Sequence, residues 1–134
     1  MAFGVFDPAT SELSLASAGF PAPFLVRNGK AGPVDVAGVP LGLLPDSTYE
    51  AVCLRLQPGD TVVFCSDGVC EQTNATEEEF GTDRLVGRLA ASCESAAAAE
   101  IASEVLKAVT EHAAGTASRP PGDDRTIVVL RVTA

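Results

Sequence analysis

The residues of this chain whose types could do chemistry are acids placed where apolar runs begin and end. Asp67 follows the run Thr61-Val62-Val63-Phe64-Cys65-Ser66 and precedes Gly68-Val69. Asp123-Asp124 stands just ahead of a second apolar run, residues 126–132. In an antiparallel pair the end of one strand lies beside the start of the other. If these two runs are neighbouring strands, Asp67 and Asp123 meet at one sheet edge. Two unit charges about 4 Å apart repel by roughly 4 kcal/mol at an effective dielectric of ~20. Either one carboxyl is then protonated, or a cation lies between them. Hard oxygen ligands suit Mg²⁺ or Mn²⁺ rather than zinc. Gly68 would let water and substrate approach such an ion closely. The plainer alternative is that Asp-Gly is an ordinary turn after a strand and Asp123-Asp124 a solvated turn before one. Spacing alone does not choose between them.

Other reactive residue types read as structural. Glu77-Glu78-Glu79 is a solvated acidic run ahead of a helix, where it suits the helix dipole. Glu71, just after the Asp-Gly pair, reads as an ordinary surface acid, the alternative being contact with a metal-bound water. The four cysteines, Cys53, Cys65, Cys70 and Cys93, form no CxxC pair, so zinc-ribbon spacing is absent. Cys53 and Cys65 lie in apolar runs and read as buried reduced thiols. Cys70 has nothing basic close in sequence to activate it. The sole histidine, His112, falls near a helix end, where a structural or dipole-favoured role is expected.

The elements that must position the acids are strands first and helices later. Residues 3–6 form a short apolar strand, Asp7-Pro8-Ala9-Thr10 a turn, and residues 13–17 alternate with period two as its partner. Residues 24–27 make the next strand, closed by Asn28-Gly29, a strong hairpin signal. A Gly/Pro-rich stretch covers residues 32–45, and residues 38–43 within it are expected to be a packed loop. Residues 49–56 alternate with Val52, Leu54 and Leu56 on one face; Pro58-Gly59-Asp60 turns the chain into residues 61–65, a central strand covered on both faces. Thr82 is the expected N-cap of a helix through Leu85, Val86 and Leu89. Ser95 is the expected cap of a longer helix with Ile101, Val105, Ala108 and Val109 on one face, ended by Gly115. Ala-rich residues 96–99 reflect helix propensity. A polar Gly/Pro loop spans residues 116–122 and the last strand residues 126–132. Many strands, two helices and a final strand argue for an α+β layered domain with antiparallel sheet.

Composition narrows the function classes. The 134 residues suit a single domain with a core of its own. Net charge is −9, with a pI near 4.4 and mean hydropathy of +0.22. A surface this acidic repels nucleic acid and anionic membranes. It also repels phosphorylated substrates unless bound cations invert the local sign. No apolar run reaches membrane-span length, and Met1 to Asp7 has no signal-peptide pattern, so a cytoplasmic location is expected.

Taken as an ordered set, several short motifs resemble those of SpoIIE-like phosphatases, relatives of protein phosphatase 2C in the PPM class. Ala18-Gly19-Phe20-Pro21-Ala22-Pro23 resembles the family's NAGHPPP segment, and Pro40-Leu41-Gly42-Leu43-Leu44 its PLGLL. Leu56-Gln57-Pro58-Gly59-Asp60 is similar to Leu-x-Pro-Gly-Asp, and Ser66-Asp67-Gly68-Val69-Cys70-Glu71 to TDGVTE. Asn74 through Glu79-Phe80-Gly81, followed by Arg84-Leu85, and Asp123-Asp124-Arg125-Thr126 match the remaining two. The series covers nearly the whole chain. It implies an antiparallel β-sandwich flanked by helices, holding two Mg²⁺ or Mn²⁺ ions at its edge. It further implies a metal-activated water that hydrolyses phosphoserine or phosphothreonine. By the resemblance, Asp67 and Asp123 are the catalytic metal-binding acids and Asp124 a second metal candidate. Typical substrates of such enzymes are phosphorylated proteins, in bacteria small anti-sigma-factor antagonists.

The sequence departs from the pattern in two places. Phe20 stands where the family usually has His. The Asp-Gly-x-Gly-His-Gly type motif, whose Asp bridges the two metals, does not occur, and the chain reads as a domain whose N-terminal part is missing. Weak or absent activity of the isolated chain is the expectation. The alternative function is a non-catalytic, phosphatase-like module that binds a partner protein.

Overall fold

The computed structural model describes residues 1–92, 96–114 and 124–133. Cys93, Ser95, Gly115, the loop 116–122 and the candidate acid Asp123 lie outside them. Seven strands and three helices follow in the order β1 (Ala2–Asp7), β2 (Glu12–Ser17), β3 (Phe24–Arg27), β4 (Lys30–Pro33), β5 (Val52–Arg55), β6 (Thr61–Cys65), α1 (Asp67–Cys70), α2 (Gly81–Ser92), α3 (Ala98–His112) and β7 (Ile127–Arg131). All strand pairs are antiparallel. One sheet has the order β1-β2-β5 and the other β4-β3-β6-β7.

Side-chain alternation along the strands builds three layers. Leu13 and Leu15 of β2 pack with Leu56, Val62, Val34 and Val36 between the two sheets. On the opposite face of the second sheet, Phe24, Val26, Val63 and Cys65 meet Leu85 and Leu89 of α2 and Ile101, Val105, Ala108 and Val109 of α3. Successive residues of β6 therefore serve different cores, Val62 the inter-sheet one and Val63 the helical one. A strand buried on both faces needs a near-continuous apolar run, and Thr61-Val62-Val63-Phe64-Cys65 is one. Leu85 and Leu89 are fully buried, each contributing about 2 kcal/mol of transfer free energy. The α3 face follows the 3.6-residue period read from the sequence.

Asn28 and Gly29 adopt φ of 52° and 69°, as the two-residue hairpin between β3 and β4 requires. The loop expected to pack between residues 38 and 43 does so only at its start. Gly38 lies so close to the end of β2 that a Cβ would fall 2.0 Å from the Ser17 carbonyl oxygen, and its own carbonyl accepts the Gly19 amide at 2.7 Å. Beyond it, a local turn from the Leu43 amide to the Pro40 carbonyl carries Leu41 and Leu43 outward, 57% and 63% exposed. Cys53, expected to be buried, is exposed, because Val52 and Leu54 take the inward positions of β5. The helix caps also differ from expectation. Gly81 opens α2, so Thr82 sits in its first turn, and Ala97 caps α3 with the Glu100 carboxylate accepting the Ala97 amide at 2.7 Å.

A buried ion pair fastens the hairpin to the turn before β6. The Arg27 guanidinium donates to both Asp60 carboxylate oxygens and to the Arg55 carbonyl, and Asp60 also accepts the Gln57 amide at 2.7 Å. Burial pushes the Asp60 carboxyl up, but the Arg27 and Gln57 hydrogen bonds and the guanidinium charge outweigh it and hold the group below its ordinary value. A depressed folded-state pKa stabilises above the unfolded value and is lost as pH falls through the folded one. The contribution is thus complete at neutral pH and fades as pH falls below the ordinary 3.8. Asp60→Ala is expected to cost about 2 kcal/mol, less than a fully buried pair because Arg27 keeps solvent contact, and to flatten the acid limb of stability against pH. Urea titrations between neutral and acid pH check both. Gly38→Ala is expected to lower stability by about 3 kcal/mol through overpacking against backbone, measured by the same titration.

Candidate functional site

The candidate site forms where β6 ends and β7 begins. These strands pair with Cys65 opposite Ile127 and Thr61 opposite Arg131, so segments some sixty residues apart finish side by side. Ser66 carries the pairing beyond the ladder. Its amide donates to the Thr126 carbonyl at 3.0 Å. Its hydroxyl donates to the Asp124 carbonyl at 2.8 Å and accepts the Thr126 amide at 2.9 Å. Asp67 comes next and opens α1, a single turn where the residue pattern suggested a plain strand end. Val69, fully buried in the helical core, plugs this turn in place. The Asp67 carboxylate stays exposed, and one of its oxygens accepts the Gly68 amide at 3.0 Å.

Asp67 lines a recess of about 360 Å³ together with Ser66, Cys70, Glu71, Thr82 and the apolar wall Pro21-Ala22. Among the described residues, no Lys, Arg or His lines it. A phosphate dianion therefore meets carboxylates and no cation, and only a bound positive ion could reverse that. The oxygen donors fit a hard cation in type. Among the described residues no three His, Cys, Asp or Glu side chains group to hold an ion, so Asp67 could supply part of a ligand shell and water or other segments the rest. Asp124 is exposed on the adjoining segment, with its backbone fixed by Ser66.

The thiols beside the site are not nucleophiles. Burial pushes the Cys65 thiol up to about 12, with Cys70 adding to the shift. Burial also raises Cys70, with Glu71 and Glu79 adding and the Thr82 hydrogen bond opposing. Neither is a thiolate at neutral pH.

The Asn74-to-Arg84 motif braces rather than reacts. The Asn74 side-chain oxygen accepts the Thr76 and Glu78 amides. Arg84 donates to the Glu79 and Phe80 carbonyls and pairs with Glu78 at 2.5 Å. His112, in the last turn of α3, lies 2.9 Å from the Glu78 carbonyl through Nε2 and meets the Phe80 ring edge-on. Glu71 and Glu77-Glu78-Glu79 are exposed.

Two features of the site are not written in the residue pattern. Ser66 is visible there only as the residue before Asp67, and its cross-strand bonds depend on a partner 60 residues away. Phe20 lines a separate apolar cleft of about 370 Å³ between β1 and β7.

The profile of the Stage II sporulation protein E (SpoIIE) family matches residues 1–133. Protein IcfG of Synechocystis is 32% identical over 91 residues, which are 67% of this chain and 14% of that protein. The phosphatase domain of SpoIIE from Bacillus subtilis, presoaked with Mn, superposes with a TM-score of 0.74 at 21% identity, over 99% of this chain and 56% of that one. The SiaA-PP2C domain of Pseudomonas aeruginosa gives 0.81 at 21% identity, over 97% and 50%. The chain thus spans about half the length of the solved domains it matches, and a smaller part of IcfG. Antiparallel sheets flanked by helices, the ordered motifs and the match along almost all its length lead to one assignment: the chain belongs to the SpoIIE family, with the PP2C-type phosphatase fold.

Proposed function

We propose that this chain is the acid-bearing part of a protein serine/threonine phosphatase domain that uses Mg²⁺ or Mn²⁺, with Asp67, Asp123 and Asp124 as its metal-binding residues. The supporting observation is the strand pairing that sets the Asp67 and Asp124 segments side by side, next to a recess that, among the described residues, Asp67 and Glu71 line and no basic group does. A bound divalent cation supplies charge neutralisation for a phosphoryl group and acidifies water. The chain's own residues do the rest. Asp67 offers its carboxylate to the recess, Ser66 fixes the neighbouring segment, and Pro21-Ala22 form an apolar wall beside them. The substrate class is a phosphorylated protein, and a small anti-sigma-factor antagonist would be of that class. No helix among the described residues is long and apolar enough to cross a membrane.

No Asp-Gly-x-Gly-His-Gly stretch occurs in the 134 residues. In this reading a further metal-binding carboxylate would come from another segment, of the same or another polypeptide, and the isolated chain would turn over weakly. The second reading, a non-catalytic module that binds a partner protein, has its own observation. Phe3, Val5 and Val128 lie 54–62% exposed on the edge strands β1 and β7, and open apolar edges invite pairing.

Phosphate release from a phosphothreonine peptide separates the two. The phosphatase reading expects slow turnover that requires Mn²⁺ and disappears in Asp67→Asn. Turnover without metal, or surviving that substitution, would overturn the assignment of Asp67. No turnover at any Mn²⁺ concentration would favour the binding module.

A further inference from the structure

Asp67 and Asp124 both lie beyond the β6–β7 ladder, which ends at Cys65 and Ile127. The next cross-strand bonds are made by Ser66. Its amide continues the ladder to the Thr126 carbonyl, which any residue could do. Its hydroxyl adds two further bonds, one given to the Asp124 carbonyl and one taken from the Thr126 amide. A hydroxyl serves both because it is donor and acceptor at once. An Ala there would leave a carbonyl and an amide without this partner directly beside the acids.

We propose that Ser66 is a positioning residue for the candidate site: its hydroxyl clamps the backbone of Asp124 against the strand that delivers Asp67, and so sets the affinity of the pair for a divalent cation. The proposal rests on the metal-binding reading above and concerns a residue whose hydroxyl is engaged with the backbone of the neighbouring segment. Groups that orient metal ligands through hydrogen bonds typically change affinity by about 10- to 100-fold when removed. Ser66 is half-buried and lies outside both hydrophobic cores, so its loss need not unfold the domain. Threonine keeps the same donor and acceptor.

The test is Mn²⁺ affinity, read from the electron paramagnetic resonance signal of free Mn²⁺ in titrations of the 134-residue chain and its variants. Ser66→Ala is expected to weaken binding about 10-fold with an unchanged far-ultraviolet circular dichroism spectrum. Ser66→Thr is expected to bind as the parent does, and Asp67→Asn to lose binding. Parent-like affinity in Ser66→Ala, alongside loss in Asp67→Asn, would overturn the positioning role and leave the metal reading intact. Binding that survives Asp67→Asn, or a parent that binds no Mn²⁺, would overturn both. A measurement on the parent alone guards against a variant that fails to fold. Amide hydrogen exchange at Thr126 is expected to slow when Mn²⁺ is added, and exchange that Mn²⁺ leaves unchanged would count against the clamp.

Discussion

The pairing of β6 with β7 is the constraint on which the rest of the molecule depends. It joins Cys65 to Ile127 across the whole helical segment, and closing so long a loop costs conformational entropy before any contact offsets it. The helices inside that loop provide the offset. Buried Leu85, Leu89, Ile101 and Val105 pack on Val63 and Cys65 of β6, with Ile127 and Val129 of β7 against the same core. The apolar faces of α2 and α3 therefore do more than fill space. They hold the final strand in its place, and with it the acid-bearing segment just ahead of it. Core stability and site geometry are one quantity here.

Asp60 and Asp67 show how differently the same side chain can be placed. Asp60 is almost wholly buried, ion-paired to Arg27 and hydrogen-bonded to the Gln57 amide, so its charge is compensated inside the protein. Asp67 is exposed in a recess where, among the described residues, the other acid is Glu71 and no cationic side chain is present. The chain has 18 acids against 9 Lys and Arg, so cations are scarce and their placement carries information. Arg27 serves the turn before β6 and Arg84 the Glu78 brace, while among the described residues none lines the recess at the end of β6. An exposed carboxylate at the start of α1 is of the ligand type a hard metal ion takes, and it contrasts with the internally paired Asp60.

The strands were legible in the residues because each carries its own local cause. Period-two alternation marks β2 and β5, the Asn28-Gly29 pair marks the hairpin, and an unbroken apolar run marks β6 as covered on both faces. The adjacency of β6 and β7, inferred from strand order, is present in the register. What was not legible depends on distant partners or on length. α1 has four residues, too few for a helical period to show. The outward position of Cys53 comes from which face of β5 meets the other sheet. The 38–43 loop looked packed because its leucines are apolar, yet a local turn sends them into solvent. The sequence reading set Asp67 against Asp123, which lies outside the described residues, with Asp124 as a second candidate; Ser66 was hidden, since a hydroxyl before Asp-Gly carries no sign of what it will bond to.

The acid recess and the apolar cleft are joined through the backbone. Phe20 lines the cleft between β1 and β7, while its chain neighbours Pro21 and Ala22 line the recess that holds Asp67. Ser17 fastens this segment by exchanging hydrogen bonds with Phe20, its hydroxyl donating to the carbonyl at 3.0 Å and accepting the amide at 3.3 Å. Two prolines, Pro21 and Pro23, stiffen the chain between Phe20 and β3. A stiff, doubly tied segment transmits displacement instead of absorbing it. The recess and the cleft are thus lined by neighbouring residues of one short stretch of chain.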